Sequence, residues 1–291
     1  MHSIKNELLT ATIKSTGAEL ISLKSEKGVE YIWQRDPRYW SGSAPFLFPI
    51  VGNLRDKKTV INGKTYHMNI HGFLRDMTFE VLHRKENEIS LINTYNSDTL
   101  EKYPYKYKVI ITYALMQNVL RAKINVVNEY EESLPFNIGG HPGFNCPLYP
   151  GEAFTDYAIY FENAETFSSP RVESNGTLNF DVPARTYQNL KELRLDYGLF
   201  DIDTIIIPRV KSKKVKLLNK KDKGICFSFP QFITFAVWSP PGKQAPFVCL
   251  EPWIGYGDRY DSDYDFMKKD NLLILNTLEE FTAHYDIEII D

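Results

Sequence analysis

Cysteine is scarce in this chain: Cys146, Cys226 and Cys249 are the three in 291 residues. The count is odd and no C-x-x-C spacing occurs, which argues against a disulfide framework and a cysteine-based zinc module. The three read as buried thiols in a reducing compartment, so a cytoplasmic protein is expected. Excess positive charge is also lacking, with 34 Lys and Arg against 37 Asp and Glu and a formal net charge of -3. That balance gives no support for a nucleic-acid partner, which calls for a basic face. No apolar run approaches the ~20 residues of a membrane span, and the opening "MHSIKNELLT" has no apolar signal-peptide core. The G-x-G-x-x-G, P-loop and G-x-S-x-G fingerprints are missing. The acidic "DSDYD" lacks the glycine and terminal glutamate of a calcium loop, and the lysines of 211–221 read as a solvated hairpin. No motif calls for a metal or any other cofactor.

Aromatic residues, by contrast, are plentiful: 18 Tyr, 18 Phe and 4 Trp. Most are expected in the core of a large β-sandwich, with a few available to stack on a ligand. Strand follows short strand. "ELLTATIK", "AELISLKS" and "VEYIW" predict an opening meander, and "KTVINGKTYHM" carries the Asn62-Gly63 pair of a tight hairpin. Period-two alternation is clear in "TFEVLH", "YKYKVI" and "RAKINV". Long amphipathic helices are absent. "DSDYDFMKK" suits a helical turn, and "QNLKELRLDYGLF" suits a short helix before a strand. Strands without alternating helices argue against a parallel α/β sheet, and no fixed-period repeat suggests a propeller. The pattern predicts an all-β protein: one domain over 1–291, a large antiparallel β-sandwich with few short helices.

Six histidines offer candidate chemistry. His83 and His284 sit inside alternating strands and His2 is terminal, so all three read as structural. His67 and His71 are four apart, but on a strand end rather than a helix, which argues against a metal pair. His141 stands in "NIGGHPGFNCP", after two glycines that allow close backbone approach and before a proline. In "PFVCLEPWIGYGD" an apolar run ends in Glu251. A carboxylate there is either paired or used, and burial would raise its pKa toward that of a general base.

Taken together, "APFLFPIVGN", "HGFLRD", "GGHPGFNCP", "LFDIDTIII" and "WSPPGKQAPFVCLEPWIGYGD" resemble the aldose 1-epimerase (galactose mutarotase) family, in particular its LacX-like branch, over nearly the whole chain. The resemblance implies a galactose-mutarotase-like supersandwich, and an enzyme that interconverts the α and β anomers of a free aldohexose without a cofactor. It places Glu251 as general base and His141 as general acid. His71, Arg75 and Asp203 fall on positions that hold the sugar. Trp253 follows the glutamate and, with Trp33, Trp40 and Trp238, is a candidate for stacking. Better-known members carry an arginine directly after an asparagine behind "FP". Here "FPIVGNLRD" separates them, so Asn53 and Arg55 both stand as sugar contacts.

Mutarotation opens a hemiacetal and recloses it on the other face, so it needs an acid and a base. The expectation is that they flank the ring, a glutamate with raised pKa opposite a histidine near its ordinary value. Three rival readings follow from the same residues. A hexose-6-phosphate mutarotase would draw on Arg55, Lys57 and Arg75, and a non-catalytic sugar binder would use the same pocket. A glycoside hydrolase would pair Glu251 with Asp203 or Asp258.

Overall fold

In the segment Val119–Val127, Leu120, Ala122, Ile124 and Val126 are fully buried and the residues between them are half-buried. This is what period two produces when one face of a strand is covered. The computed structural model describes residues 1–291, and most of the alternating segments behave this way. They assemble into a nine-stranded antiparallel sheet. Its order from one edge is Leu178–Arg194, Tyr157–Val172, Lys214–Asn219, Gly224–Ser228, Glu280–Ile290, Val119–Val127, Lys108–Met116, Glu88–Thr94 and Glu80–Arg84.

A second sheet, six-stranded, supplies the framework for the site. Its path runs Ile205–Ile207, Thr234–Trp238, Phe247–Ile254, Ile138–Gly140 and Phe46–Leu47, with Gly143–Asn145 also paired to Phe247–Ile254. Residues of both sheets share one core cluster of 65 buried side chains. Each large apolar side chain fully buried there contributes about 1.5–3 kcal/mol relative to exposure. The large antiparallel sandwich read from the sequence is what forms. No helix is long and apolar enough to cross a membrane.

Local expectations fare unevenly. The Asn62-Gly63 hairpin forms between Lys58–Ile61 and Lys64–His67, with both turn residues at positive φ (50° and 74°), as a type I′ turn requires. "DSDYDFMKK" does give a 3-10 turn at Phe266–Lys268. "VEYIW" adds only isolated bridges, Lys24 to Glu30 and Ile32 to Phe144. The opening sheet is instead completed by His2–Lys5 beside Leu9–Ile13 and Leu20–Ser25. "QNLKELR" is strand rather than helix, because Leu193 pairs with Ile159 and Arg194 with Ala158. Tertiary pairing there overrides the helical preference of Leu, Lys and Glu. Only Tyr197–Phe200 is a 3-10 turn.

The turn in "NIHGFLRD" is locked by backbone contact. The N–H groups of Phe73 and Leu74 both donate to the Phe48 carbonyl, at 3.1 and 3.3 Å. Gly72 has φ +73°, and a Cβ there would lie 2.2 Å from that same oxygen. Only glycine combines this φ with this approach. Gly72→Ala is expected to destabilise the protein by roughly 1–3 kcal/mol. Urea denaturation midpoints at constant m-value test this, and an unchanged midpoint would refute the steric argument.

Candidate active site

The strand Phe247–Ile254 is buried along its whole length. Alternation sets Phe247, Cys249, Glu251 and Trp253 on one face. On one side the strand pairs with Thr234–Trp238, where Ala236 lies opposite Glu251. On the other side Gly139 lies opposite Trp253 and Gly143 opposite Cys249. That register carries His141, between them, opposite Glu251. The His141 N–H donates to the Pro45 carbonyl (3.0 Å) and the Leu250 N–H to the Pro142 carbonyl (3.1 Å), which hold the interrupted strand in place. Gly139 permits the approach, since a Cβ there would lie 2.5 Å from Trp253 Cδ1.

His141 Nε2 and Glu251 Oε2 are 3.1 Å apart. His141 is 7% exposed and Glu251 1%. Both lie on a cavity of about 310 Å³ whose lining includes Asn53, His71, Arg75, Asp203 and Trp253. The volume is at the low end of the roughly 300–1,000 Å³ of small-molecule clefts. Of the eight candidate positions, Glu251, His141, His71, Arg75, Asp203, Asn53 and Trp253 are therefore brought together. Arg55 is not among the lining residues. Its Nη1 donates to the Ser262 carbonyl (2.6 Å), its backbone N–H to Asp258 Oδ2 (3.0 Å), and its guanidinium lies over the Tyr264 ring. Lys57 borders a different cavity, together with His67. Asp258 is buried in an ion pair with Lys269 (2.5 Å) and does not line the candidate cavity. A basic phosphate pocket built from Arg55 and Lys57, and a hydrolytic pair using Asp258, are both removed by these placements.

Burial sets the electrostatics. It raises the Glu251 carboxyl well above its ordinary value, and the negative charge of Asp203 acts in the same direction. Burial also pushes His141 down to about 3, helped by the positive charge of Arg75. The expected histidine near its ordinary value is therefore corrected, because full desolvation penalises the imidazolium. Burial therefore favours the uncharged form of both groups. They stand side by side rather than on opposite faces of a ring. Polar atoms of the site remain without hydrogen-bond partners: His141 Nδ1, Trp253 Nε1, and Glu251 Oε2, whose 3.1 Å contact with His141 Nε2 is close but not aligned as a hydrogen bond. Buried unpaired groups are costly, and their convergence on one cavity points to a polar ligand.

His71 is fixed differently. Its backbone N–H donates to the Gly52 carbonyl (2.9 Å), and its Nδ1 accepts the Gly52 N–H (3.0 Å). The ring is thus a neutral tautomer with its proton on Nε2. Burial holds its pKa well below the usual value, with His141 and Arg75 adding to the effect. Arg75 donates to the Ile70 carbonyl (3.0 Å) and forms no salt bridge. Asp203 sits in a turn at φ +67°, where the Thr204 hydroxyl donates to it (2.9 Å).

Aromatic rings enclose the histidine. Trp40 stacks on His141, with centroids 4.8 Å apart and planes at 29°. Trp238 meets it edge-on at 5.6 Å. These two tryptophans line the cavity, whereas Trp33, which stacks on Phe247, does not. The sequence reading missed Thr204 and the residues Val172, Gly176 and Leu178, which also line the cavity. The last three come from the hairpin that joins Tyr157–Val172 to Leu178–Arg194. Its Asn175-Gly176 dipeptide was the available signal.

The aldose 1-epimerase family model matches residues 1–260. The chain belongs to the aldose 1-epimerase family. Within that family it is similar to the plasmid and chromosomal LacX proteins of Lactococcus lactis subsp. lactis. Each is 35% identical, with 99% of both chains covered. Among solved structures it resembles a galactose mutarotase related enzyme from Lactobacillus acidophilus. The TM-score is 0.95 at 31% identity, covering 100% of this chain and 97% of that one. A galactose mutarotase-like protein from Lactobacillus casei superposes with a TM-score of 0.89 at 30% identity, covering 99% of each chain.

Burying Glu251 has a stability consequence. Its folded pKa lies above its unfolded value, so its favourable contribution is fully present below the unfolded pKa. That contribution is lost as pH rises through the folded pKa. Glu251→Gln removes this dependence. Relative to wild type, the variant's urea midpoint is expected to climb as pH is raised from the ordinary glutamate range upward. A difference that stays constant with pH would show that the carboxyl is not desolvated.

Proposed function

We propose that this protein is an aldose 1-epimerase acting on a free aldohexose. Glu251 takes the proton of the anomeric hydroxyl, His141 gives one to the ring oxygen, and the two exchange roles when the ring recloses. The observation that carries the reading is the buried 3.1 Å approach of His141 and Glu251 in a monosaccharide-sized cavity. The anomeric hydroxyl and the ring oxygen are bonded to the same carbon, so neighbouring acid and base can reach both. A pair that shares one proton suits a reaction that begins and ends with the same proton count. A small rotation of either side chain aligns the contact for proton transfer, the neutral pair then becomes carboxylate and imidazolium, and the Coulomb attraction of adjacent charges offsets part of the desolvation cost. His71 Nε2–H, Arg75, Asp203 and Asn53 orient the hydroxyls, and Trp253 offers a ring face or its N–H.

A free sugar fits better than its 6-phosphate. Arg75 is the only lysine or arginine on the cavity, and Asp203 shares that cavity with it. The three buried, unpaired thiols support a reducing compartment such as the cytoplasm.

NMR exchange spectroscopy of glucose, galactose and their 6-phosphates tests the substrate reading. Faster anomer exchange of a free hexose than of its phosphate is expected. Binding of sugar without any acceleration would favour the non-catalytic reading. Glu251→Gln and His141→Asn should each lower kcat/KM by roughly 10²–10⁴-fold while leaving far-UV circular dichroism unchanged. Near-normal exchange by Glu251→Gln would sink the base assignment.

The shared proton also shapes the pH profile. On the acid side kcat/KM should fall only well below pH 6.5, toward about 3, as His141 takes a second proton. On the alkaline side it should fall above the ordinary carboxyl range, as the pair loses its proton. An acid limb centred near 6.5, after subtraction of the buffer-catalysed rate, would contradict the one-proton pair.

A further inference from the structure

The face of Phe247–Ile254 that carries Glu251 also carries Cys249, a thiol that the sugar chemistry does not use. One ligand atom each from His141, Cys249 and Glu251 lies within 4.8 Å of the others, and all three residues are buried. We propose that these three side chains form a binding site for one soft divalent cation, Zn²⁺ in particular, and that its occupancy blocks the acid–base pair. The inhibitory part rests on the epimerase reading; the binding part does not.

The donor set argues for the metal. Nitrogen, thiolate sulfur and carboxylate oxygen match zinc and exclude the hard cations calcium and magnesium, which take oxygen. His141 and Glu251 line the cavity while Cys249 is fully buried, so the fourth tetrahedral position for water or a sugar oxygen lies on the cavity side. Zinc bonds of about 2.0–2.3 Å set tetrahedral ligand atoms roughly 3.3–3.8 Å apart. The widest pair here must therefore draw in by about 1 Å, within reach of χ1 and χ2 adjustments. Two of the residues also carry unpartnered atoms, His141 Nδ1 and Glu251 Oε2.

Charge balances as well. Binding displaces the thiol proton of Cys249 and the carboxyl proton of Glu251 into solvent, and His141 binds as the neutral imidazole. A thiolate and a carboxylate then cancel the two positive charges, so the buried complex is neutral. The metal holds the lone pairs that mutarotation uses, and zinc and productive sugar binding become mutually exclusive. Cys146 and Cys226 lie on other strands or loops and are not part of the set.

Cobalt(II) is the probe. Titrating metal-free full-length protein with Co²⁺ should give a near-ultraviolet thiolate charge-transfer band and visible bands of four-coordinate intensity. These should saturate at one equivalent and disappear when Zn²⁺ is added. Cys249→Ser should lose the near-ultraviolet band and bind zinc at least as much more weakly as the roughly 10–100-fold typical of a lost outer-shell partner. It should keep its anomer-exchange activity and lose most of its inhibition by zinc. Absence of the thiolate band in wild type, or its persistence in Cys249→Ser, overturns the site. If Cys249→Ser does not fold, zinc-edge X-ray absorption of the wild-type complex decides. One sulfur near 2.3 Å supports the site, and a shell of nitrogen and oxygen alone overturns it. If metal-free wild type accelerates no sugar's exchange, the epimerase reading fails while the cobalt bands still decide the metal site.

Discussion

The site depends on one cross-strand register. Phe247–Ile254 is held on both flanks, and the pairs Gly139 with Trp253 and Gly143 with Cys249 leave His141 facing Glu251. Directly opposed residues in an antiparallel pair have Cβ atoms about 4.5–5.5 Å apart. That spacing lets an imidazole and a carboxylate meet without reaching. Slipping the register by one residue would turn Glu251 to the other face and break the pair. Every residue of the strand is buried, which makes such a slip costly.

Around that pair the structure accepts a cost in order to hold two titratable groups out of water. Burial drives Glu251 up and His141 down, so both are favoured in their uncharged forms. The surroundings serve the same end. Trp40 and Trp238 shield the imidazole. His71 is tied to Gly52 through both backbone and side chain, so it cannot swing into the pair's place. Loops from distant parts of the chain converge here: Asp258 N–H donates to the Asn53 carbonyl, and Gly52 lies against Gly257 closely enough that a Cβ would fall 2.6 Å from it.

Much of this was legible residue by residue. Glu251 ended an apolar run, His141 stood between glycines and a proline, and His71 preceded a glycine with a steric reason to be there. Arg55 was the misplaced candidate. Its neighbour Asn53 lines the cavity, while two positions on the chain has turned and the guanidinium is taken up by Ser262 and Tyr264. A spacing of two residues in a loop carries no periodicity from which direction could be read. Of the long hairpin between Tyr157 and Arg194 only the opening "YAIYFE" reads as a strand, for a related reason. Its register shifts repeatedly along its length, so the alternation that marks a strand is broken.

What the sequence determined by itself is local and periodic: all-β character, the Asn62-Gly63 hairpin, and the candidates Glu251 and His141 with their polar companions. Those follow from side-chain alternation, turn chemistry and the rarity of a carboxylate at the end of an apolar strand. Only the tertiary structure decided which of those groups touch, in which direction desolvation moves them, and that Glu251 and His141 stand side by side. Contact and burial are set by pairing between segments more than 100 residues apart, such as Gly139 with Trp253. Neither can be read from a composition or a spacing.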